Sequence, residues 1–181
     1  MPSNRPNVAP EVKRQEIRSA ARSLFFSEGF DRTSVARIAR AAGVTPNTLY
    51  WYYPGKEQIF AAVVEELTAL FFMGLNNRDP QEPVSETLAW VVEAMQAAQP
   101  LIVTLHEKAR TSRAIAAVHD RFHDEVETLI GSRLRARGMD EARIPAIIHI
   151  VSFTVEGLLM HELAPAQRQA VIDEMAAQLF G

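Results

Sequence analysis

Apolar side chains recur along most of the chain at intervals of three or four residues, with polar side chains between them. This spacing places them on one face of a helix, which has about 3.6 residues per turn. The segments between the apolar stretches contain the Gly, Pro, Asn and Asp residues that end helices or form turns. The sequence shows no alternating strand pattern, internal repeat or low-complexity run. The pattern therefore predicts an all-α fold.

Capping and breaking residues divide this pattern into successive helices. The first is expected from Pro10 to Glu28, where Gly29 ends it, and two short helices follow. A loop rich in breaking residues, 76–83, separates a long fourth helix from the rest. The expected later helices cover about 56–75, 84–98, 100–109, 112–138, 144–163 and 165–180.

The two short helices lie between Thr33 and Lys56 and form the most distinctive part of the chain. Thr33 precedes an apolar set and is predicted to cap the first of them, which Gly43 ends because a glycine has no Cβ penalty in the left-handed region. Thr45 is the second predicted N-cap, with Pro46 at the first helical position. Such a short turn is typical of a helix-turn-helix, whose second helix enters the DNA major groove. A purely structural helix-turn-helix is the alternative.

The second short helix is expected to expose a face unusual for a structural helix, with Pro46, Asn47, Tyr50 and Trp51. Asparagine can pair with adenine through two hydrogen bonds, and hydroxyl groups of Thr and Tyr can bind phosphate oxygens. Lys56 adds a positive charge where the next helix begins. We therefore predict a DNA-binding surface here, although the aromatic run could also be core.

The stretch Ile144–Leu163 differs from the other helices because its apolar residues cover nearly all sides. In a small helical body this favours a helix shared with a second subunit, with the helix 165–180 packed beside it. A fully buried core helix in a monomer is the alternative. The expected dimer-interface residues are Ile147, Ile150, Val151, Thr154, Gly157 and Leu158.

Composition and charge narrow the class of protein. Of 181 residues, 48% are hydrophobic and none is cysteine, which excludes disulfides, thiolate metal sites and a cysteine nucleophile. The N-terminus lacks the apolar run of a signal peptide, and no run of about 18 uncharged apolar residues occurs, so a cytoplasmic location with no membrane partner is expected. Residues 1–9 are expected to be flexible, with Arg5 able to reach a DNA backbone or minor groove.

The net charge of −3 is unevenly divided along the chain. Residues 1–60 hold nine Lys or Arg against five Asp or Glu, a net charge of +4, whereas the remainder holds ten against seventeen, a net charge of −7. A basic amino-terminal unit joined to an acidic one is typical of a DNA-binding head on a separate regulatory body. A merely solvated basic face would give the same distribution.

An enzyme or metal site has one candidate in the sequence, the pair His119 and His123, which are one helical turn apart with Asp120, Asp124 and Glu127 nearby. Two histidines on one helix face could hold a metal ion. The sequence has no HExxH motif and no obvious third ligand, and it has no GxSxG, phosphate-loop or dinucleotide motif. We therefore expect no catalytic residue, no metal site and no cofactor, and the histidines are expected to be structural.

The run from Ile17 to Phe60 contains, in fixed order, the motifs AARSLF, GF, TS, IA, AGVT and LY, and a Lys that follows an aromatic pair. This run resembles the DNA-binding domain of the tetracycline-repressor (TetR) family and covers roughly the first third of the chain. Many members have Gly where this chain has Asn47, and His-Phe where it has Tyr52 and Tyr53. Its base preference therefore cannot be taken from a relative.

The resemblance implies that hydroxyl groups and a lysine contact phosphates, while exposed side chains of the second short helix contact base edges. The expected phosphate contacts are Thr33, Thr45, Tyr50, Tyr52 and Lys56. The expected base-edge contacts are Pro46, Asn47 and Trp51, and Ser34 and Thr48 complete the predicted DNA-binding set. The resemblance also implies dimerisation through the last two long helices.

The resemblance further implies an effector cavity, since family members usually release DNA when a small molecule enters the helical body. The Met and aromatic content of those helices favours an apolar or aromatic effector. The candidate lining residues are Phe71, Phe72, Met73, Trp90, Met95, Leu105, His106, Phe122 and His149. All of them could equally be ordinary core.

The sequence thus predicts a dimeric transcriptional regulator, a ligand-responsive repressor that binds a palindromic operator because two short recognition helices read two half-sites. Residues 1–57 are expected to form the helix-turn-helix domain, and residues 58–181 the effector-binding and dimerisation domain. The alternative is a small-molecule-binding or enzymatic helical bundle with a vestigial helix-turn-helix. A steep salt dependence of duplex binding would distinguish the two.

Overall fold

Residues 10–79 and 81–180, which the computed structural model describes, form nine α helices and no strand, so the prediction of an all-α fold is confirmed. The predicted flexible segment 1–9, with its Arg5, lies outside the described residues. The helices are α1 Pro10–Glu28, α2 Val35–Ala41, α3 Pro46–Tyr52, α4 Lys56–Asn76, α5 Val84–Ala97, α6 Gln99–Ala109, α7 Arg113–Ala136, α8 Ile144–Met160 and α9 Pro165–Phe180.

The helix ends follow the caps and glycines of the sequence, with one clear difference. Gly29, Gly43 and Gly138 all have positive φ values at the ends predicted for their helices. Helix α8, however, ends at Met160 rather than at Leu163, and its C-cap has an extended backbone. Pro165 begins α9 and restricts only the residue directly before it, so it does not by itself explain the earlier end of α8.

The chain divides into two compact units. One unit comprises residues up to Leu67 together with Val103–His119, and the other comprises Thr68–Ile102 together with the residues from Asp120 onward. The first unit therefore contains the whole helix-turn-helix segment and, in addition, the first half of α4 and a later stretch of chain. Helices α4, α6 and α7 each contribute residues to both units.

The core of the first unit is built around three phenylalanines. Phe25 of α1, Phe30 of the following loop and Phe60 of α4 have ring centroids 5.1 to 5.6 Å apart. Gly29 makes this cluster possible, because its φ of +84° turns the chain back after α1 and brings the next residue over the helix. Leu49 of α3 is fully buried in the same unit.

The core of the second unit is formed by α5, α8 and α9. Helix α8 contributes seven buried residues, while Leu88 and Val92 come from α5 and Ile172 and Met175 from α9. The other side of α8 is not covered within the protomer, where Phe153 is 68% exposed. Only one face of α8 is buried within the protomer, so the alternative of a core helix buried entirely in a monomer is not observed, and a helix shared with a second subunit stays a prediction.

Helix α4 is long and apolar enough to cross a membrane by length and composition, as is the bent pair α5 and α6. In the described residues, however, Ile59, Phe60 and Val63 of α4 are almost fully buried inside the protein. A core helix meets the same criteria of length and composition. Packing thus accounts for these three residues, whereas Leu70 and Met73 of the same helix are 48% and 57% exposed.

We predict that Phe25→Ala lowers the free energy of unfolding by about 3–5 kcal/mol, because it leaves a cavity between two aromatic rings. Phe26→Ala is the matched control, since this neighbouring side chain is 38% exposed and should cost much less. Denaturant unfolding followed by circular dichroism measures both effects. Equal losses for the two variants would show that the aromatic cluster does not stabilise the unit.

Candidate nucleic-acid interface and ligand cavity

Helix α3 is short, and its first turn is fixed by a side-chain cap. Thr45 has an extended backbone, and its Oγ1 accepts a hydrogen bond of 3.1 Å from the backbone N–H of Thr48. Pro46 occupies the first turn, where its missing N–H leaves no bond unmade. Gly43, with a φ of +65°, ends the preceding helix two residues earlier. The predicted N-cap at Thr45 and the turn between α2 and α3 are confirmed.

The outer face of α3 is exposed, whereas Leu49 on its inner face is fully buried. Trp51 is 72% exposed and Tyr50 is 51% exposed, which is unusual for side chains of this size. Pro46 and Asn47 are also exposed. Large exposed aromatic and amide groups on a well-anchored helix are available to contact a partner.

Part of this surface is ordered by contacts with α1. The Tyr52 ring lies 4.8 Å from the Trp51 ring in an edge-on arrangement, measured between ring centroids. The guanidinium of Arg14 in α1 lies 5.8 Å from the centroid of Tyr52. The surface therefore combines aromatic rings with a cation from a second helix, and both kinds of group can contact the phosphate backbone of DNA.

The first predicted cap of the motif is wrong by one residue. Ser34, rather than Thr33, is the N-cap of α2, and its side chain accepts a hydrogen bond from the backbone N–H of Arg37. Thr33 is 1% exposed and donates its hydroxyl to the carbonyl oxygen of Gly29 at 2.8 Å. Thr33 therefore fixes the loop after α1 and is not on the exposed surface, unlike Ser34.

Lys56, a predicted phosphate contact, has a structural bond that the sequence did not indicate. Its Nζ donates a hydrogen bond of 2.8 Å to the carbonyl oxygen of Phe30 and lies 4.1 Å from the centroid of the Phe30 ring. Burial lowers the pKa of Lys56, whereas the negative charge of Asp31 raises it and the positive charge of Lys108 lowers it again. Lys56 thus ties the start of α4 to the loop after α1.

Lys108 of α6 contacts the same loop, and no sequence pattern predicted this contact. Its Nζ lies 2.9 Å from Oδ1 of Asp31 and 5.6 Å from the centroid of the Phe30 ring. The hydrogen bond lowers the pKa of the Asp31 carboxyl and raises the pKa of the Lys108 amine. The two residues are far apart in sequence, so no periodic pattern could connect them.

Helix α1 is joined to α4 by ionic hydrogen bonds. Glu66 accepts one at 3.1 Å from Nε of Arg18 and another at 2.9 Å from Nη1 of Arg22. These side chains are partly buried, which weakens solvent screening compared with a surface pair. The bonds fix α1 on α4 and so position the helix that carries Arg14.

The second unit contains a cavity of about 550 Å³. Of the predicted pocket residues, Phe71, Phe72, Met95 and Phe122 line it. Met73 is 57% exposed on the other side of α4. The cavity also has polar groups that could not be predicted, because they come from three separate stretches of the chain: Arg78, Asp79, Glu82, Arg133, Arg137, Ser152 and Glu156.

The remaining predicted pocket residues lie elsewhere, for different reasons. Trp90 stacks on Phe71 at 5.7 Å, behind the cavity wall. Leu105 is 7% exposed in the core of the first unit, which also contains His106. His149 stacks on Phe153 at 5.8 Å on the exposed face of α8. Helical periodicity could not separate these positions from the lining.

The histidines of α6 and α7 in the first unit are arranged as a pair. Nε2 of His119 lies 3.3 Å from Nδ1 of His106, with the rings edge-on and their centroids 5.0 Å apart. A neutral imidazole has one donor and one acceptor nitrogen, so one ring can donate to the other. The structural role of the histidines stays a prediction.

The predicted dimer-interface residues of α8 separate into two groups. Ile147, Val151 and Leu158 are buried in the protomer core. Ile150, by contrast, is 47% exposed, on the same side as Phe153. An apolar run does not show which face of a helix is outward, and the contact of these residues with a second subunit stays a prediction.

Comparison with known families gives a match over the segment that includes α3. Residues 17–63 match the family described as bacterial regulatory proteins, tetR family. Over 85 residues the chain is 34% identical to the nucleoid occlusion factor SlmA of Pasteurella multocida, and over 52 residues it is 40% identical to the transcriptional regulator AcrR of Shigella flexneri. These matches cover 46% and 29% of this chain and only 42% and 24% of the relatives, so less than half of each relative is matched.

Solved structures share the fold over almost the whole chain. A transcriptional regulator from Rhodococcus sp. Rha1 superposes with a TM-score of 0.77 at 16% identity, covering 92% of this chain and 95% of that one. FadR of Thermus thermophilus, a repressor solved in complex with lauroyl-CoA, superposes with a TM-score of 0.65 at 22% identity, covering 92% of each chain.

We predict that Lys56→Met lowers the free energy of unfolding by about 2 kcal/mol, because a charged hydrogen bond and a cation–π contact are lost. Arg40→Met is the control, since it removes a cation from an exposed position of α2. Denaturant unfolding of the protein without DNA measures the effect. If both variants unfold at the wild-type denaturant concentration, the bond to Phe30 has no structural role.

Proposed function

Because residues 17–63 belong to the tetR family of bacterial regulatory proteins, we propose that this chain is a DNA-binding transcriptional regulator, a ligand-responsive repressor that binds a palindromic operator as a dimer. The observation that carries the proposal is the outer face of α3, where Trp51 and Tyr50 are exposed on a helix anchored by the fully buried Leu49. The family match includes this same segment, which supports a functional DNA-binding domain over a vestigial helix-turn-helix. Such a regulator acts in the cytoplasm.

In the proposed complex, α3 lies in the major groove. Asn47 pairs with a base edge, and Trp51 contacts the apolar edge of a neighbouring base. Tyr50 and Thr45 donate their hydroxyl groups to phosphates. Lys56 and Arg14 add positive charge at the margins of this surface, which strengthens binding at low salt.

We propose that dimerisation uses the exposed face of α8 together with α9. Ile150, Phe153 and Met160 are 47%, 68% and 62% exposed on α8, and Val171 of α9 is 38% exposed. A contiguous apolar face of this kind marks an interaction site in a protein of this size. Gly157 lies on the same helix with no atom within 4 Å of an added Cβ, which leaves room for a second helix. The proposed occupant is the same face of a second copy, giving a two-fold interface.

The effector is proposed to bind in the cavity of the second unit. Its volume is within the range of about 300–1,000 Å³ that small-molecule sites occupy. Phe71, Phe72 and Phe122 give it aromatic walls, so an apolar or aromatic effector suits it. FadR, a structural neighbour solved in complex with lauroyl-CoA, shows that a repressor of this fold can bind a ligand with an apolar chain.

We predict that selection from a random duplex library enriches a palindrome with the wild-type protein, and that Asn47→Ala and Trp51→Ala each weaken its binding about tenfold to a hundredfold. Each change removes a base-edge contact without touching the core. Met73→Ala, at an exposed position in the other unit, should leave binding unchanged. If no duplex is enriched at low salt, the DNA-binding proposal fails.

We predict that Phe153→Glu converts the dimer to a monomer, because a charge placed in an apolar two-fold interface is buried against its own copy. Met73→Glu is the matched control, since it puts the same charge on an exposed apolar position of α4. Sedimentation velocity gives the oligomeric state of each. A Phe153→Glu protein that remains dimeric would place the interface elsewhere.

A further inference from the structure

The cavity of the second unit has two chemically different ends. Helix α7 runs along it, with Phe122 near one end and Arg133 near the other. Eleven residues separate these positions, which corresponds to roughly 16 Å along a helix axis. The lining of the cavity therefore extends over about three turns of α7.

One end of the cavity is aromatic. The ring centroids of Phe71, Phe72 and Phe122 lie 5.4 to 6.1 Å from one another. The wall continues towards the other end through aliphatic side chains of α7, among them Leu129 and Ile130. This region offers a ligand apolar contact, and an apolar group would displace water from it at a gain in free energy.

The other end carries three arginines, of which one is already paired. Arg78 makes a two-pronged contact with Glu82, in which Nη2 lies 2.7 Å from Oε2. Glu82 also accepts a hydrogen bond from Thr87, and its pKa is lowered by these two bonds. Glu82 is therefore paired with Arg78, and the positive charge of Arg133 also lowers its pKa.

Arg133 and Arg137 bring two further positive charges to this end. Both line the cavity, Arg133 from α7 and Arg137 from the turn that follows this helix. Arg133 donates one hydrogen bond of 3.3 Å, from Nη2 to the carbonyl oxygen of Leu75, and a guanidinium has five N–H donors. Among the described residues, the remaining acid that lines this end is Asp79, whose Oδ1 accepts from the backbone N–H of Gln81 at 2.9 Å. The lining of this end thus carries the three arginines Arg78, Arg133 and Arg137 against the two acids Asp79 and Glu82, an excess of one positive charge.

The third acidic residue of the lining, Glu156, lies towards the aromatic end. A Cβ on Gly131 would lie 3.8 Å from side-chain atoms of both Ile144 and Ile148, so the start of α8 is beside the last third of α7. Helix α8 therefore runs back along α7, which brings Glu156 away from Arg133. The positive charge at the arginine end is not cancelled by this residue.

We propose that this cavity binds an amphipathic anion, a ligand with an elongated apolar body and a single carboxylate head. The head pairs with Arg133 and Arg137, in the geometry that a guanidinium and a carboxylate favour, and the body extends to the phenylalanines. This inference deepens the proposed function by naming the effector class, and it rests on the ligand-responsive role proposed above. The binding itself does not require DNA.

The experiment titrates the full-length protein, without DNA, with three probes that share one alkyl chain: decanoate, decanol and decylammonium. Isothermal titration calorimetry gives each dissociation constant. We expect decanoate to bind about tenfold to a hundredfold more tightly than decanol, because charged hydrogen bonds are added, and decylammonium to bind most weakly. Equal affinity for decanoate and decanol, or no binding of decanoate, would overturn the proposal.

Two variants test the position of the head group. Arg133→Gln should lower decanoate affinity to that of decanol while leaving decanol binding unchanged, which also shows that the cavity is intact. Arg135→Gln is the control on the same helix, since Arg135 pairs with Glu141 outside the cavity. If Arg133→Gln weakens both ligands equally, or if both variants act alike, the arginine end does not bind the head. Operator binding measured separately keeps this result distinct from a failure of the DNA-binding proposal.

Discussion

A seven-residue helix presents most of the proposed DNA-binding surface, and such a helix is not stable by itself. Nucleation fixes several residues for one hydrogen bond, so isolated helices shorter than about 12–15 residues are marginal in water. Helix α3 depends on the Thr45 cap and on burial of Leu49, and α1 and α4 complete the surrounding core through Phe25, Phe30 and Phe60. Trp51 can remain exposed because the cap and these buried side chains stabilise α3 without it.

Much of this frame could be predicted from neighbouring residues alone. The caps at Thr45 and the turns at Gly29 and Gly43 are local, and helical periodicity marked the inward faces. The contact between Lys56 and the Phe30 carbonyl could not be predicted, because it joins positions 26 residues apart. The choice of Ser34 over Thr33 as the cap depends on burial of the loop, which no local rule gives.

The predictions for the second unit were limited because the sequence does not show which side of a helix faces the core. An apolar run on α8 shows that the helix packs on something, but not which of Val151 and Phe153 faces inward. The residues that line the cavity were also hard to predict, because they come together only in the folded chain. The aromatic residues were identified by type, whereas Arg78 and Arg133 looked like ordinary surface charges until the folded chain placed them at one end of an apolar space.

The bond from Lys56 to the Phe30 carbonyl shows that this motif contains residues with a structural role as well as exposed residues. Lys56 and Thr33 hold the motif together, whereas Asn47 and Trp51 are exposed on α3 and hold nothing else in place. Sequence changes at the exposed positions carry little folding cost. The exposed surface of α3 can therefore change in sequence while the scaffold beneath it stays the same.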